Sequence, residues 1–232
     1  MIERIAILGA GAWGTALALA ARRAGREVTL WARSEAVAGT IAEKQRNPSY
    51  LPGIELDAKI AATHALDTAV TGADAILLVC PAQNLRALCG RLAELEASTA
   101  PLVICAKGIE QQTGALPGTV VAETLPGRPI AVLSGPSFAG EVARNLPTAI
   151  TLACEDIELQ VSIRSPRPDR PIMVSARPPL ATHSRVSSAR PRVMSAARAL
   201  SPKPRPSAMP QAMASTFLIA PPICAPITSS PE

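Results

Sequence analysis

Apolar positions along this chain fall into short unbroken runs, separated by amphipathic stretches of helical period. The runs predict strands at about residues 4–8, 27–31, 59–62, 74–80, 102–106, 130–133 and 148–153. Helices are predicted between them at about 12–24, 34–45, 65–70, 83–95 and 118–124. Ser34 followed by Glu35 suggests an N-cap with a first-turn acid, and Gly25 suits the C′ position that closes the first helix. Residues 47–53, Asn-Pro-Ser-Tyr-Leu-Pro-Gly, read as a turn-rich loop. A run such as 75–80, apolar at every position, suits a strand buried on both faces of a parallel sheet. The alternation of strand and helix implies an α/β fold, a doubly wound parallel sheet of Rossmann type with right-handed crossovers.

Ligands of such sheets bind beyond the carboxyl ends of the strands. The predicted ends carry Gly9–Gly14, Arg33, Cys80-Pro81, Lys107 and Ser134–Ser137. The first is a G-x-G-x-x-G turn set between a strand and an alanine-rich helix. Gly9 permits the tight turn, Gly11 lets backbone approach a pyrophosphate, and Gly14 lets the helix pack close to the sheet. Unpaired N–H groups at the helix start, with the positive end of the dipole behind them, face the phosphates. The motif in this setting points to a dinucleotide. Trp13, inside the turn, either covers the cofactor or packs on a neighbouring loop.

A site that prefers NAD ends its second strand with Asp or Glu, which accepts from the ribose 2′-hydroxyl. Here Trp31-Ala32-Arg33-Ser34 offers only a cation. A guanidinium fits a 2′-phosphate, so NADPH is expected to bind at least as well as NADH; the alternative is a surface arginine. Lys107, beside Gly108, is either a solvated surface lysine or an ammonium that holds a substrate phosphate or polarises a carbonyl. Ser134–Ala139 is either an anion cradle or a stiff turn. Cys80 reads as core. His64 and His183 lack carboxylate or cysteine company at ligand spacing, so no metal site and no Ser-His-Asp triad is expected.

Composition divides the chain. All 14 glycines lie at or before Gly140, whereas 14 of the 23 prolines lie at or after Pro166. Residues 161–232 hold 9 Arg and 1 Lys against Asp169 and Glu232, which leaves the first 160 residues mildly acidic. The body, of a size common for one domain, can bury a sizeable core. The expected division is therefore 1–160, a dinucleotide-binding domain, and 161–232, a disordered or irregular Pro/Arg/Ser-rich tail in which proline opposes helix and sheet ladders. Three readings of the tail stand open: an arm that binds nucleic acid through phosphates, a solvated tail without function, and an out-of-frame product of GC-rich coding sequence. No apolar run is long enough to span a membrane, no signal peptide is read, and five cysteines without C-x-x-C spacing suit a reducing, cytoplasmic setting. Oligomeric state is not legible.

Several strings together resemble one family. Gly9-Ala10-Gly11-Ala12-Trp13-Gly14-Thr15-Ala16-Leu17-Ala18, Val28–Arg33, Asn47–Ile54, Ala106-Lys107-Gly108-Ile109-Glu110, Leu133–Glu141 and Leu146–Ile150 occur in the order found in bacterial NAD(P)-dependent glycerol-3-phosphate dehydrogenase. The resemblance implies an oxidoreductase that transfers hydride from NAD(P)H to dihydroxyacetone phosphate, giving sn-glycerol 3-phosphate for phospholipid synthesis. It assigns cofactor contacts to Trp13, Arg33, Lys107 and Ala139, and substrate contacts to Lys107, Gly135 and Ser137, with Lys107 the catalytic candidate. Ala12, also at the cofactor, stands where relatives often carry serine, so a hydroxyl contact there is absent.

The resemblance stops near residue 160. Relatives continue into a helical domain with a second lysine, in Gly-Gly-Ala-x-Lys-Asn, as principal acid/base, and a Ser-Arg-Asn cluster for the substrate phosphate. Neither string occurs in these 232 residues, whose tail has Lys203 alone. A frame shift near Gln160 accounts for both breaks. Alternatives are an NAD(P)-binding domain without catalysis, a hydroxy-acid or ketopantoate-type reductase, which the Lys107-Gly108 and Gly135-Pro136-Ser137-Phe138 strings disfavour, and, outside enzymes, a nucleic-acid binder acting through the basic tail.

Overall fold

The computed structural model describes residues 2–95, 98–156, 158, 159, 163, 174–175 and 213–219. From the amino end, β1 (Arg4–Leu8) leads through α1 (Ala12–Arg23) to β2 (Glu27–Trp31) and α2 (Glu35–Lys44). A two-stranded hairpin, β3 (Arg46–Asn47) and β4 (Leu51–Glu55), precedes β5 (Ile60–Thr63) and α3 (Leu66–Val70). Then follow β6 (Ala75–Leu78), α4 (Ala82–Leu95), β7 (Leu102–Ile104), α5 (Pro117–Thr124), β8 (Ile130–Ser134), α6 (Ala139–Ala143) and β9 (Thr148–Cys154). Two more strands, β10 (Val174–Ser175) and β11 (Met213–Ile219), belong to the same sheet.

The sheet order is β10-β11-β9-β8-β7-β6-β1-β2-β5, and the six strands from β8 to β5 are mutually parallel. This is the Rossmann-type, doubly wound arrangement. Successive residues of β1 feed opposite faces: Ile5 and Ile7 pack on the side of α1 and α2, Ala6 and Leu8 on the side of α3, α4 and α5. Burial on both faces is why the central strands β6 and β7 lack polar alternation. Helix α1 closes with a Schellman pair, Gly25 N–H donating to Arg22 (2.8 Å) and Arg26 N–H to Ala21 (3.0 Å), with Gly25 at φ +78°.

Within residues 1–160, three features depart from the sequence expectation. Residues 46–55 form a hairpin rather than only a loop, α6 has no counterpart among the expected helices, and β9 runs antiparallel to β8. A parallel return usually crosses the sheet on a helix; the connection here, residues 135–147, holds only five-residue α6, which packs on α1, and the chain comes back antiparallel. β9 accordingly alternates buried and half-buried positions along its whole length. Ser34 occupies the N-cap position of α2, but its side chain makes no capping bond.

In the segment expected to be irregular, β11 pairs antiparallel with β9, from Met213 opposite Cys154 to Ile219 opposite Thr148. It is a proline-free stretch, apolar except at Ser215 and Thr216. Apart from 163, 174–175 and 213–219, the predicted Pro/Arg-rich tail, with His183 and Lys203, lies outside the described residues. Among the described residues no helix is long and apolar enough to cross a membrane.

Candidate functional site

Leu8 stands opposite Trp31 on one side and Leu78 on the other, and Leu78 opposite Ile104, so the carboxyl ends of four strands lie flush. From β1 the chain winds outward to β2 on one side and to β6 on the other. The segments that leave these strands diverge and open a cleft above β1, the switch point of the sheet. The cleft has a volume of about 410 Å³. Gly9, Ala10 and Gly11 line it after β1, Ala32, Arg33 and Ser34 after β2, and Val79, Cys80 and Pro81 after β6. A wall is added by Asn84, Ala87, Leu88 and Arg91, one stripe of α4, and Tyr50 reaches in from the hairpin. No carboxylate occurs among the described lining residues.

The glycine turn is built by close approach. Gly9 sits at φ +133°, and a Cβ there would stand 2.2 Å from the Val79 carbonyl oxygen. A Cβ on Gly14 would stand 1.8 Å from the Gly9 carbonyl oxygen, so α1 can begin this close to the turn only with glycine. A Cβ on Gly11, in contrast, would meet nothing within 4 Å. The bare face of Gly11 opens on the cleft, which fits an approaching phosphate.

A side chain outside the motif holds this turn. Asn47 of β3, 1 % exposed, donates from Nδ2 to the Ala10 carbonyl (2.9 Å) and to Thr15 Oγ1 (2.8 Å). Thr15 Oγ1 in turn donates to the Gly11 carbonyl (2.8 Å). Sequence reasoning placed Asn47 in a loop and gave it no role, because its partners lie more than thirty residues away.

The other expected site residues divide into groups. Arg33 is exposed in the cleft, and no salt bridge to it occurs among the described residues. Ala12, Trp13 and Ala139 lie outside the cleft lining, partly buried against the core on the α1 side, where α6 packs on α1. The indole Nε1 of Trp13 is buried without a hydrogen-bond partner among the described residues, and so is Ser137 Oγ. Such orphans are uncommon, and a ligand is one way to satisfy them. Lys107 is exposed and donates from Nζ to the Gly135 carbonyl (3.1 Å), which joins two expected residues beyond β7 and β8. A Cβ on Gly135 would stand 2.6 Å from the Ala149 carbonyl oxygen, so this glycine is also required by the seam with β9.

Burial pushes the Cys80 thiol up to about 11 and the Cys105 thiol up to about 12. Both are protonated at neutral pH, in keeping with Cys80 as a packing residue. Among the described residues no group of three His, Cys, Asp or Glu is placed to hold a metal ion.

Residues 4–160 match the family model described as NAD-dependent glycerol-3-phosphate dehydrogenase N-terminus. The chain belongs to this family. Within the glycerol-3-phosphate dehydrogenases, the protein of Rhodospirillum rubrum named glycerol-3-phosphate dehydrogenase (NAD(P)+) is 54% identical over 156 residues, 67% of this chain and 45% of that protein. Its namesake in Paramagnetospirillum magneticum is 55% identical over 158 residues, 68% of this chain and 57% of that protein. The crystal structure of glycerol-3-phosphate dehydrogenase from Coxiella burnetii superposes with a TM-score of 0.66 at 35% identity, covering 70% of this chain and 50% of that one. The chain thus spans about half the length of the curated relatives it matches. The family's relatives are named as NAD(P)+ enzymes, which agrees with a dinucleotide at the glycine turn.

Proposed function

We propose that this chain is the cofactor-binding half of a dehydrogenase that moves hydride between NAD(P)H and dihydroxyacetone phosphate, giving sn-glycerol 3-phosphate. The observation that carries the reading is the cleft over β1, bare at Gly11, cationic at Arg33 and without a carboxylate among its described lining residues. When bound, the nicotinamide supplies the hydride chemistry. The chain supplies the rest. Backbone N–H groups at the start of α1 receive the pyrophosphate, and Arg33 receives the 2′-phosphate of NADPH. Ala12, Trp13 and Ala139 border the cofactor, and the unpartnered indole N–H of Trp13 supports that role. Lys107, Gly135 and Ser137 meet the substrate. The exposed ammonium of Lys107 and the orphaned hydroxyl of Ser137 support that assignment.

Residues 1–160 carry the cofactor site of this domain, β10 and β11 add to its sheet from beyond residue 160, and 161–232 are otherwise read as an out-of-frame continuation. The setting is cytoplasmic, where free thiols such as Cys89 and Cys105 stay reduced.

Titration of the 232-residue chain with NADPH and with NADH tests the reading. NADPH is expected to bind at least as tightly as NADH, and Arg33→Ala to weaken NADPH by about tenfold, the value of one charge-assisted hydrogen bond. Binding of neither dinucleotide overturns the cofactor site. A clear NADH preference that Arg33→Ala leaves unchanged overturns the role of Arg33.

A further inference from the structure

Arg33 does not stand alone at the end of β2. Arg91, on the cleft-facing stripe of α4, carries its guanidinium 5.5 Å from the ring centroid of Trp31, the last residue of β2. The platform under it is fixed, because Trp31 is 5 % exposed and its Nε1 donates to the His64 carbonyl (2.9 Å). A guanidinium over a tryptophan face is attracted by the ring quadrupole and loses side-chain freedom there, but its N–H donors stay available at the rim. Arg91 is exposed, and among the described residues no carboxylate pairs with it. Two cations, 58 positions apart in the chain, thus reach the same strand end from different elements, in a cleft whose described lining has no acid. That strand end is where dinucleotide-binding sheets read the ribose 2′ position.

We infer that Arg91 is a second phosphate-binding cation, which with Arg33 sets the preference for a 2′-phosphorylated adenine dinucleotide. The inference rests on the proposed dinucleotide site and adds a specificity-determining residue to it. Arg33 offers an exposed guanidinium from the segment after β2; Arg91 offers one that already rests over Trp31, so less freedom is lost on binding. A role as a mere shelf for adenine makes the opposite forecast, since NADH and NADPH carry the same base.

The experiment compares NADPH, NADH and adenosine 2′,5′-bisphosphate binding to the chain and to Arg91→Gln and Arg91→Lys. Arg91→Gln is expected to weaken NADPH and the bisphosphate by about tenfold and NADH by less than about twofold, as for loss of one charge-assisted contact. Arg91→Lys, which keeps the charge but not the planar fork, is expected to fall between. Retained NADH binding shows that each variant is folded. Equal losses on NADPH and NADH, or no loss on either, overturn the assignment of Arg91 and leave the dinucleotide site standing. Failure of the unaltered chain to bind any of the three overturns the dinucleotide reading, and Arg91 with it.

Discussion

Asn47 contributes two donors to a turn that contains no side chain able to hold itself. Ala10 offers a carbonyl, and the Thr15 hydroxyl already donates to Gly11, so each needs a donor from outside. Asn47→Ala leaves the buried Ala10 carbonyl and the fully buried Thr15 without that partner. The expected loss is about 1–3 kcal/mol of stability, the usual cost of stranding buried polar atoms. NADPH affinity should fall with it, because the Gly9–Gly14 backbone is no longer held at one geometry. Asn47→Asp should be worse than alanine, since a carboxylate faces the Ala10 carbonyl with an acceptor where a donor is required. Urea unfolding and NADPH titration of both variants check this. Stability and affinity equal to those of the parent chain would show that the hairpin does not hold the turn.

At the scale of elements, α4 grips the segment that carries Lys107. Arg86 donates from Nε and Nη2 to Glu110 (2.9 and 2.8 Å) and from Nη2 to Glu123 of α5 (2.9 Å). The Thr113 hydroxyl also donates to Glu110, and Gln83 spans the Ile109 carbonyl and the Gln111 N–H. Arg86, and then Thr113, hold the Glu110 carboxyl below the usual carboxylate range. A carboxyl with a lowered folded value stabilises fully above its unfolded value, about 4.3 for Glu, and the contribution is lost as pH falls through the folded value. The thermal midpoint of the parent should therefore exceed that of Glu110→Gln at neutral pH, and the gap should narrow as pH falls below the unfolded value through the folded one. Asp57 and Asp74 also titrate low, so the difference between the two proteins, not the parent's own acid loss, carries the test. A difference that persists undiminished in acid would refute the clamp. Sequence reading reached β1, β2, β6, β7 and β8 within a residue or two because each centres on a short apolar run, unbroken in β6 and β7, which are buried on both faces. It missed the hairpin because Pro48, Pro52 and Gly53 look like a loop when the pairing of Arg46 with Glu55 is not visible. Arg86, Arg91 and Asn47 escaped for the same reason: each acts on a residue of a distant segment, and no local pattern announces such a partner.

For the whole molecule, the carboxyl edge of the sheet carries two regions with different degrees of completion. The cleft over β1 has its turn, its support from Asn47 and its cations within one domain. The region of Lys107, Gly135 and Ser137 is open, with a solvent-exposed ammonium, an orphaned hydroxyl and Phe138 73 % exposed beside them. The family match ends at residue 160, and the 232-residue chain spans about half of its curated relatives. On the proposed reading, the acid/base lysine and the phosphate cluster belong to the portion of the relatives that the match to this chain does not cover. Binding and turnover should then separate. The chain should bind NADPH yet oxidise it with dihydroxyacetone phosphate about 10²–10⁴-fold more slowly than the same chain with its reading frame restored after codon 160, the usual contribution of a positioned acid/base. The coding sequence decides first, since one alternative frame should encode the second lysine motif. If neither frame encodes it, the out-of-frame reading is wrong; if the 232-residue chain already turns over at the rate of the restored one, the Lys107 region is sufficient by itself.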